Sequence, residues 1–275
     1  MRRDIYQMNR KEALALLLRA PVVHVASTTV DGDPILRTVH GVVVDGALAF
    51  HGAPAGEKTE ALGRNAVISA EEMVAEIPSY FVDPERACPA TTYYLSAQVH
   101  GRLEQVDDPQ AKARVLRALM AKFQPEGGHV PIDEDHPLYR NAVRGILIVR
   151  VSLEQLDGKG KLGQNRKPEE LAKILELLWS RGRPGDPRTI DLVRQANPTV
   201  PTPTFLEAPE GIRLLCALGP ERIEEALSLL AGTYWNEGVP RDVVARAILS
   251  ASAWVGACDS SGAIVAMARA LSDVS

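Results

Sequence analysis

Residues 37–59 read Arg37-Thr38-Val39-His40-Gly41-Val42-Val43-Val44-Asp45-Gly46-Ala47-Leu48-Ala49-Phe50-His51-Gly52-Ala53-Pro54-Ala55-Gly56-Glu57-Lys58-Thr59. Two apolar runs flank Asp45-Gly46, and both of these residues tolerate the positive φ of a type I′ turn, so the stretch predicts a β-hairpin. A two-residue loop sets Val44 opposite Ala47, Gly41 opposite Phe50, His40 opposite His51 and Arg37 opposite Pro54. The glycine-bounded loop that follows then delivers Lys58 and Thr59 to the first turn of a helix, where free amides and the positive end of the dipole attract anions. On this register a guanidinium, an ammonium and a hydroxyl converge on one spot. The chemistry that suits such a spot is a phosphate.

Outward from the hairpin, Asn9 and Glu12 have capping-box spacing, and Ala13, Leu14, Leu17 and Leu18 recur at helical intervals up to Pro21. Residues 22–28 read as a β-branched strand, Asp31-Gly32 as a turn, and residues 35–44 and 47–51 as the two hairpin strands. Gly63 stops the short helix that starts at Lys58. Residues 66–77 read as a strand cut by Pro78, and residues 79–92 carry Pro84 and Pro89 and form no regular element.

A long strand is expected over residues 93–106, with Tyr94, Ser96, Gln98 and His100 alternating against Leu95, Ala97 and Val99. Pro109 opens a helix to Phe123 with Val115, Leu116, Leu119 and Met120 in one apolar stripe. Residues 124–139 are irregular, and residues 145–151 are a buried strand. Six short strands with inserted helices predict an α+β fold built on a small antiparallel barrel.

Residues 157–168 form a basic, glycine-rich loop, readable as a solvated connector or as a second basic wall, before a helix over 168–180. The proline-rich run at 197–203 is the best linker, which divides the chain into domains at 1–205 and 209–275. Beyond it, strand 212–217, helices 220–234 and 241–249, and strands 253–258 and 264–270 are expected. As an independent core of about 65 residues that piece is marginal.

The bulk numbers set limits. The chain has 275 residues, 45% of them hydrophobic and 24% charged, as in an ordinary globular protein with a sizeable core. A net charge of −4 gives no global field for nucleic acid or an anionic membrane, so a phosphate ligand needs a local pocket. Cys88, Cys216 and Cys258 are scattered and form no Cys-x-x-Cys pair, which argues against a disulfide framework or zinc ribbon and for a reducing cytoplasm. No apolar run approaches the ~20 residues of a membrane span, and the N-terminal arginines lack an apolar segment after them, so neither export nor insertion is expected.

The first ~200 residues resemble the flavin-binding split-barrel superfamily that includes pyridoxamine 5′-phosphate oxidase and the nitroimidazole-resistance-like flavoproteins. Three runs carry the resemblance: residues 37–43, residues 50–59, and Arg86-Ala-Cys-Pro-Ala-Thr-Thr-Tyr-Tyr-Leu-Ser-Ala-Gln-Val-His-Gly101. It implies a split β-barrel with flanking helices, FMN as cofactor, and a homodimer with the flavin in its interface. The superfamily's phosphate-holding roles fall on Arg37 and Lys58, with Thr59 beside them. Thr38, Val39, His40, Phe50, His51 and Gln98 complete the cofactor-binding set, the ring facing backbone amides of residues 39–41 and 50–52.

The resemblance implies an FMN-dependent oxidoreductase that acts on a small molecule or a nicotinamide donor. Residues 158–166 are similar to the signature of flavin-binding negative regulators of the same superfamily, which implies the alternative of a non-catalytic regulator or carrier. The tryptophan and basic substrate-phosphate motif of the oxidase proper are absent. The last ~65 residues resemble the first part of a GNAT-type N-acetyltransferase through residues 233–240, 252–256 and 268–273, without the glycine-rich pyrophosphate loop of that family. A third alternative is therefore an acyltransferase fused to a flavin-binding sensor.

Other residues allow plainer readings. His40 opposite His51 could be a metal pair or a flavin-edge contact, but cross-strand histidines are more often polar fillers and no third ligand is in a typical position, so no metal is expected. Cys88 could be a redox thiol, though a lone cysteine is usually structural. No Ser-His-Asp, Cys-His or paired-carboxylate constellation has a defensible spacing.

Overall fold

The computed structural model describes residues 4–219 and 222–272, without the side chains of Glu57 and Lys58. Two compact units divide the chain: Met1–Met73 with Tyr94–Gly160, and Val74–Tyr93 with Lys161–Ser275. Among the described residues no helix is long and apolar enough to cross a membrane.

The first unit begins with α1 (Arg10–Arg19). Its N-terminus carries the expected capping box: Glu12 N–H donates to Asn9 Oδ1 at 2.9 Å and Asn9 N–H donates to Glu12 Oε2 at 3.0 Å. The chain then runs through β1 (Val23–Thr28), β2 (Pro34–Val39), β3 (Val42–Val44), β4 (Ala47–Gly52), the single turn α2 (Glu57–Glu60) and β5 (Asn65–Ile77). After β6 (Thr91–Arg102) and β7 (Glu104–Val106) come α3 (Pro109–Phe123), α4 (Arg140–Gly145), β8 (Leu147–Ser152) and β9 (Gln155–Lys161).

These strands form two sheets, a five-stranded one in the order β2-β1-β5-β6-β9 and a four-stranded one in the order β3-β4-β8-β7. Asp45 and Gly46 have φ values of 50° and 73°, the pair of positive angles a type I′ turn demands, and Val44 lies opposite Ala47. Helix α3, with Asp108 as N-cap and Pro109 at its first position, buries Val115 and Leu119 against Val42, Ala49, Val106 and Ile148.

The hairpin register fails beyond Val42. β2 and β3 are separate strands in different sheets: Arg37 pairs with Val25 of β1, not with Pro54, and His51 pairs with Ile148 of β8, not with His40. The expected Gly41–Phe50 pair is likewise absent from the β3–β4 ladder, which ends at Val42–Ala49.

The reason is a corner at residues 40–41. A Cβ on Gly41 would lie 3.0 Å from Val23 Cγ2, so the chain turns there against β1 with room only for hydrogen. Lys122 of α3 holds the corner from outside, its Nζ donating to Gly41 O at 2.9 Å, and the Phe123 ring meets the His40 ring at 4.5 Å. Burial holds the Lys122 ammonium below its usual pKa.

A second break divides the strand expected over 93–106. Leu103 leaves the ladder because its N–H donates to Arg64 O (2.9 Å) and its carbonyl accepts from Gly63 N–H (2.7 Å), which sends β7 to the other sheet. The expected alternation along β6 is observed, with Leu95, Ala97 and Val99 buried and Gln98 exposed.

The basic loop of residues 157–168 is in part a strand. β9 continues to Lys161, and Gly158 sits where a Cβ would meet Ala13 and Met8 at 2.8 and 2.9 Å, so α1 closes on β9 at that glycine.

The second unit holds α5 (Pro168–Arg181), α6 (Asp186–Ala196), β10 (Arg213–Leu215), α7 (Ile223–Leu230), α8 (Arg241–Leu249), β11 (Ala253–Cys258) and β12 (Ile264–Ala270). The helix expected over 220–234 is shorter: α7 ends at Leu230, and a 3-10 turn follows at Tyr234–Asn236. The antiparallel sheet β10-β11-β12 packs Leu215, Trp254, Cys258 and Ile264 against Ala226, Leu227 and Ile248 of the helices.

Arg181 ties this unit to the residues carried between β5 and β6. It donates to Glu76 O at 2.7 Å, pairs with the buried Asp186 carboxylate, and lies 5.3 Å from the Phe81 ring centre. The linker-like run 197–203 starts from a buried Asn197, whose side chain donates to Leu162 O and Val193 O at 3.0 and 2.8 Å.

Candidate functional site

The cavity lined by Arg37, Val39 and Phe50 of the nominated residues lies inside the first unit. It is lined by Arg37 and Val39 of β2, Phe50 of β4, Val25 and Ser27 of β1, and Ala61, with Ile35, Leu103 and Val149 completing the wall. Arg37 reaches it through strand alternation, because it lies opposite the buried Val25 on the inward face of the sheet. Ala61 immediately follows the C-terminus of α2, so the cavity borders the carboxyl end of that helix and not the first turn on which the guanidinium was expected to converge. The free volume is about 20 Å³, room for one water but not for a ring system. Among the described residues no carboxylate lines it.

Arg37 itself is exposed at its tip and donates through Nη1 to Leu36 O at 2.7 Å. Val39 and Phe50 are buried. Thr38, the next residue along β2, points to the opposite face of the sheet, opposite His24, and Gln98 is exposed on β6. The nominated set is therefore divided between the cavity and the outer sheet face. His40 packs on Phe123, and His51 is an exposed residue of β4.

The side chain of Lys58 lies outside the described residues; its backbone belongs to α2. Thr59 Oγ1 donates to Gly56 O at 2.6 Å and Thr59 N–H donates to the same oxygen at 2.9 Å. That hydroxyl has only its lone pairs left to offer. Helix α2 is four residues long, so its dipole is a small one.

Three features escaped the sequence reading. Lys122 sits in the middle of an amphipathic helix pattern, and only the corner at Gly41 gives its ammonium a partner. Arg64 and Arg102 are far apart in sequence and line one hollow because Leu103 closes on Gly63 and Arg64; the slip of the alternation between Leu103 and Val106 is the sequence signal that could have found them. In the second unit, Asp191 Oδ2 accepts from Cys216 N–H and Ala217 N–H at 2.8 and 2.9 Å, while Oδ1 lies 3.8 Å from Arg194 Nη1 with no hydrogen-bond partner. Burial pushes this carboxyl up to about 6, against the pull of the two amides and Arg194. Burial, aided by the Asp191 charge, pushes the Cys216 thiol up to about 12.

A family model described as pyridoxamine 5′-phosphate oxidase matches residues 9–160, more than half of the chain. No curated protein matches. Among solved structures, an FAD and heme binding protein from Mycobacterium smegmatis is 20% identical with a TM-score of 0.50, over 61% of this chain and 79% of that one. The flavocytochrome Anf3 from Azotobacter vinelandii is 17% identical with a TM-score of 0.49, over 60% of this chain and 73% of its own.

Proposed function

The chain belongs to the pyridoxamine 5′-phosphate oxidase family, and on that premise we propose that it binds a flavin, FMN, and works as a two-electron oxidoreductase on a small molecule or a nicotinamide donor. The observation that carries this reading is the exposed Arg37 guanidinium, which stands at the edge of a small cavity lined by Val39, Phe50 and Ala61; the cavity has room for one water, so a phosphate would sit outside it on the guanidinium. A guanidinium in such a setting suits a phosphate, with which it forms paired charge-assisted hydrogen bonds. The free volume admits no ring, so the isoalloxazine would lie outside the cavity, along the main chain of residues 50–52 and the exposed His51. Gly41 O already accepts from Lys122 and offers the ring less than a free carbonyl would.

In this reading Arg37 and Lys58 hold the phosphate, Thr59 joins them by turning its hydroxyl proton from Gly56 O to a phosphate oxygen, and Val39 and Phe50 close the back of the site. The flavin supplies hydride transfer; the protein binds, orients and tunes it. We place the protein in the cytoplasm on the ground of its three scattered cysteines, and as a homodimer in keeping with what the family resemblance implies.

The test is the visible spectrum of the protein after incubation with FMN and gel filtration. Wild type should retain a yellow flavin spectrum. Arg37→Ala should lose charge-assisted contacts worth about 1.5–3 kcal/mol and with them most of the bound flavin. Retention at wild-type affinity in Arg37→Ala would remove the site assignment. Oxidation of NADH or NADPH by the loaded protein separates an enzyme from a flavin carrier or regulator.

A second reading concerns the C-terminal residues. The order β10, α7, α8, β11, β12, with both helices on one antiparallel sheet, is the arrangement that favours an acyltransferase-like module fused to the flavin domain. Binding of coenzyme A by the full chain tests it.

A further inference from the structure

A second, larger depression lies on the outer face of the five-stranded sheet, again within the first unit. It consists of two adjoining hollows of about 730 and 550 Å³ that share Thr28, Asn65 and Arg102. The first adds Arg64 and Glu60, and the second adds Ala26, Val67, His100 and Gln155. Both hollows are open and shallow, and each is broader than a lone phosphate or carboxylate would fill.

The lining is graded. At one end stand two guanidiniums. Arg102 is held in place by donating through both Nε and Nη2 to Gly63 O, which leaves Nη1 directed elsewhere with no partner among the described residues. The Arg64 guanidinium is half-buried and has neither an ion pair nor a hydrogen bond to any described residue. Among the described residues one carboxylate, Glu60, stands against these two cations.

Further along, the floor is the cross-strand pair Ala26 and Val67, whose small apolar side chains leave a flat shelf. His100 is half-buried beside it, and Asn65 and Gln155 present amides, each both donor and acceptor, at the rim. An arginine pair recognises the oxygens of a phosphate, a flat apolar shelf beside an imidazole takes an aromatic ring, and amides read a ring's polar edge.

We propose that this depression binds a phosphorylated heteroaromatic molecule of nucleotide size, with its phosphate on Arg64 and Arg102 and its ring on Ala26, Val67 and His100. The site is separate from the Arg37 cavity, which opens on the inward face of the same sheet and shares only Ser27 with it. The proposal therefore does not depend on where a flavin binds.

The probe is ADP, titrated calorimetrically into the full chain at low salt, with and without saturating FMN. One ADP should bind per chain, more weakly as salt rises, and with the same affinity when FMN is present. Arg64→Glu should weaken ADP binding at least tenfold, since it reverses a charge that makes no ion pair with any described residue. Ala26→Glu, at an exposed position, should do the same by blocking the shelf while leaving the arginines intact.

Wild-type affinity for ADP in Arg64→Glu, or no binding by the wild type, would overturn the site. Inorganic pyrophosphate binding as tightly as ADP would overturn the ring contact. Displacement of ADP by FMN in wild type and in Arg37→Ala alike would overturn the separateness of the two sites. Loss of FMN in Arg37→Ala with ADP binding unchanged would support both readings.

Discussion

Gly163→Ala is the substitution whose effect can be worked most fully from the structure. Gly163 has φ +86°, and a Cβ there would lie 2.6 Å from Leu171 Cδ2, 2.6 Å from Tyr93 Oη and 3.2 Å from Tyr93 Cζ. The left-handed backbone costs an alanine about 1–2 kcal/mol, before any contact is counted. Both neighbours are almost fully buried, Leu171 at 2% and Tyr93 at 1% exposure, so neither can swing away, and overpacking of that kind adds about 1–3 kcal/mol.

The expected loss is about 2–5 kcal/mol, a large part of the 5–15 kcal/mol that holds a typical domain together. Urea unfolding followed by tryptophan fluorescence reads it as a lower midpoint at unchanged slope. Combining the change with Leu171→Ala should recover part of the loss, because the new methyl then occupies space the leucine vacates, and the two changes should be non-additive. A destabilisation within about 0.5 kcal/mol would refute the reasoning, since it is what an ordinary surface change produces.

The remaining predictions use other parts of the chain. Asp191 titrates near 6 in the folded state against an ordinary 3.8, so its native form holds the proton more tightly, and stability should fall by about 1–3 kcal/mol as pH rises from 4 to 6. Asp191→Asn should flatten that part of a stability-against-pH curve while still accepting from Cys216 and Ala217. Lys122→Met should destabilise by about 1–2 kcal/mol through loss of the bond to Gly41 O, measured by thermal unfolding. A thiol reagent should label one cysteine quickly, the exposed Cys88, and reach the buried Cys216 and Cys258 only on unfolding, as peptide mass mapping would show.

The sequence was most readable where local chemistry alone decides the outcome. The Asn9–Glu12 capping box, the Asp45-Gly46 turn and the helix opened by Pro109 at the Asp108 cap all depend on neighbours three or four residues away, and each is where the pattern puts it. The register beyond Val42 was not readable, because the β-branched alternation runs unbroken through Gly41 while the backbone turns from one sheet to the other. What fixes that turn is Val23 on one side and Lys122 on the other, both distant in sequence.

The candidate site shows the same division. Arg37 was found from its residue type and position, yet the route by which it reaches the end of α2 is through β1 and not through the hairpin. Residues 158–166 read from their glycines and charges as a solvated connector or a second basic wall, and packing is in neither reading. Gly158 and Gly163 are instead sites of close packing, and Arg166 is spent on Pro89 O at 3.0 Å.

The interruption of the second unit has consequences for how the chain can be made and cut. Residues Val74–Tyr93 leave the ribosome well before Lys161, yet their buried groups, Phe81 and Tyr93 among them, are covered by partners that come later, such as Arg181, Gly163 and Leu171. During synthesis this excursion must wait with apolar surface in water, a window in which chains of this size aggregate. A fragment trimmed at Gly160, where the family match stops, would make that waiting state permanent. The portion that the family match outlines is, in folding terms, a chain that carries residues 74–93 without the later residues that cover them.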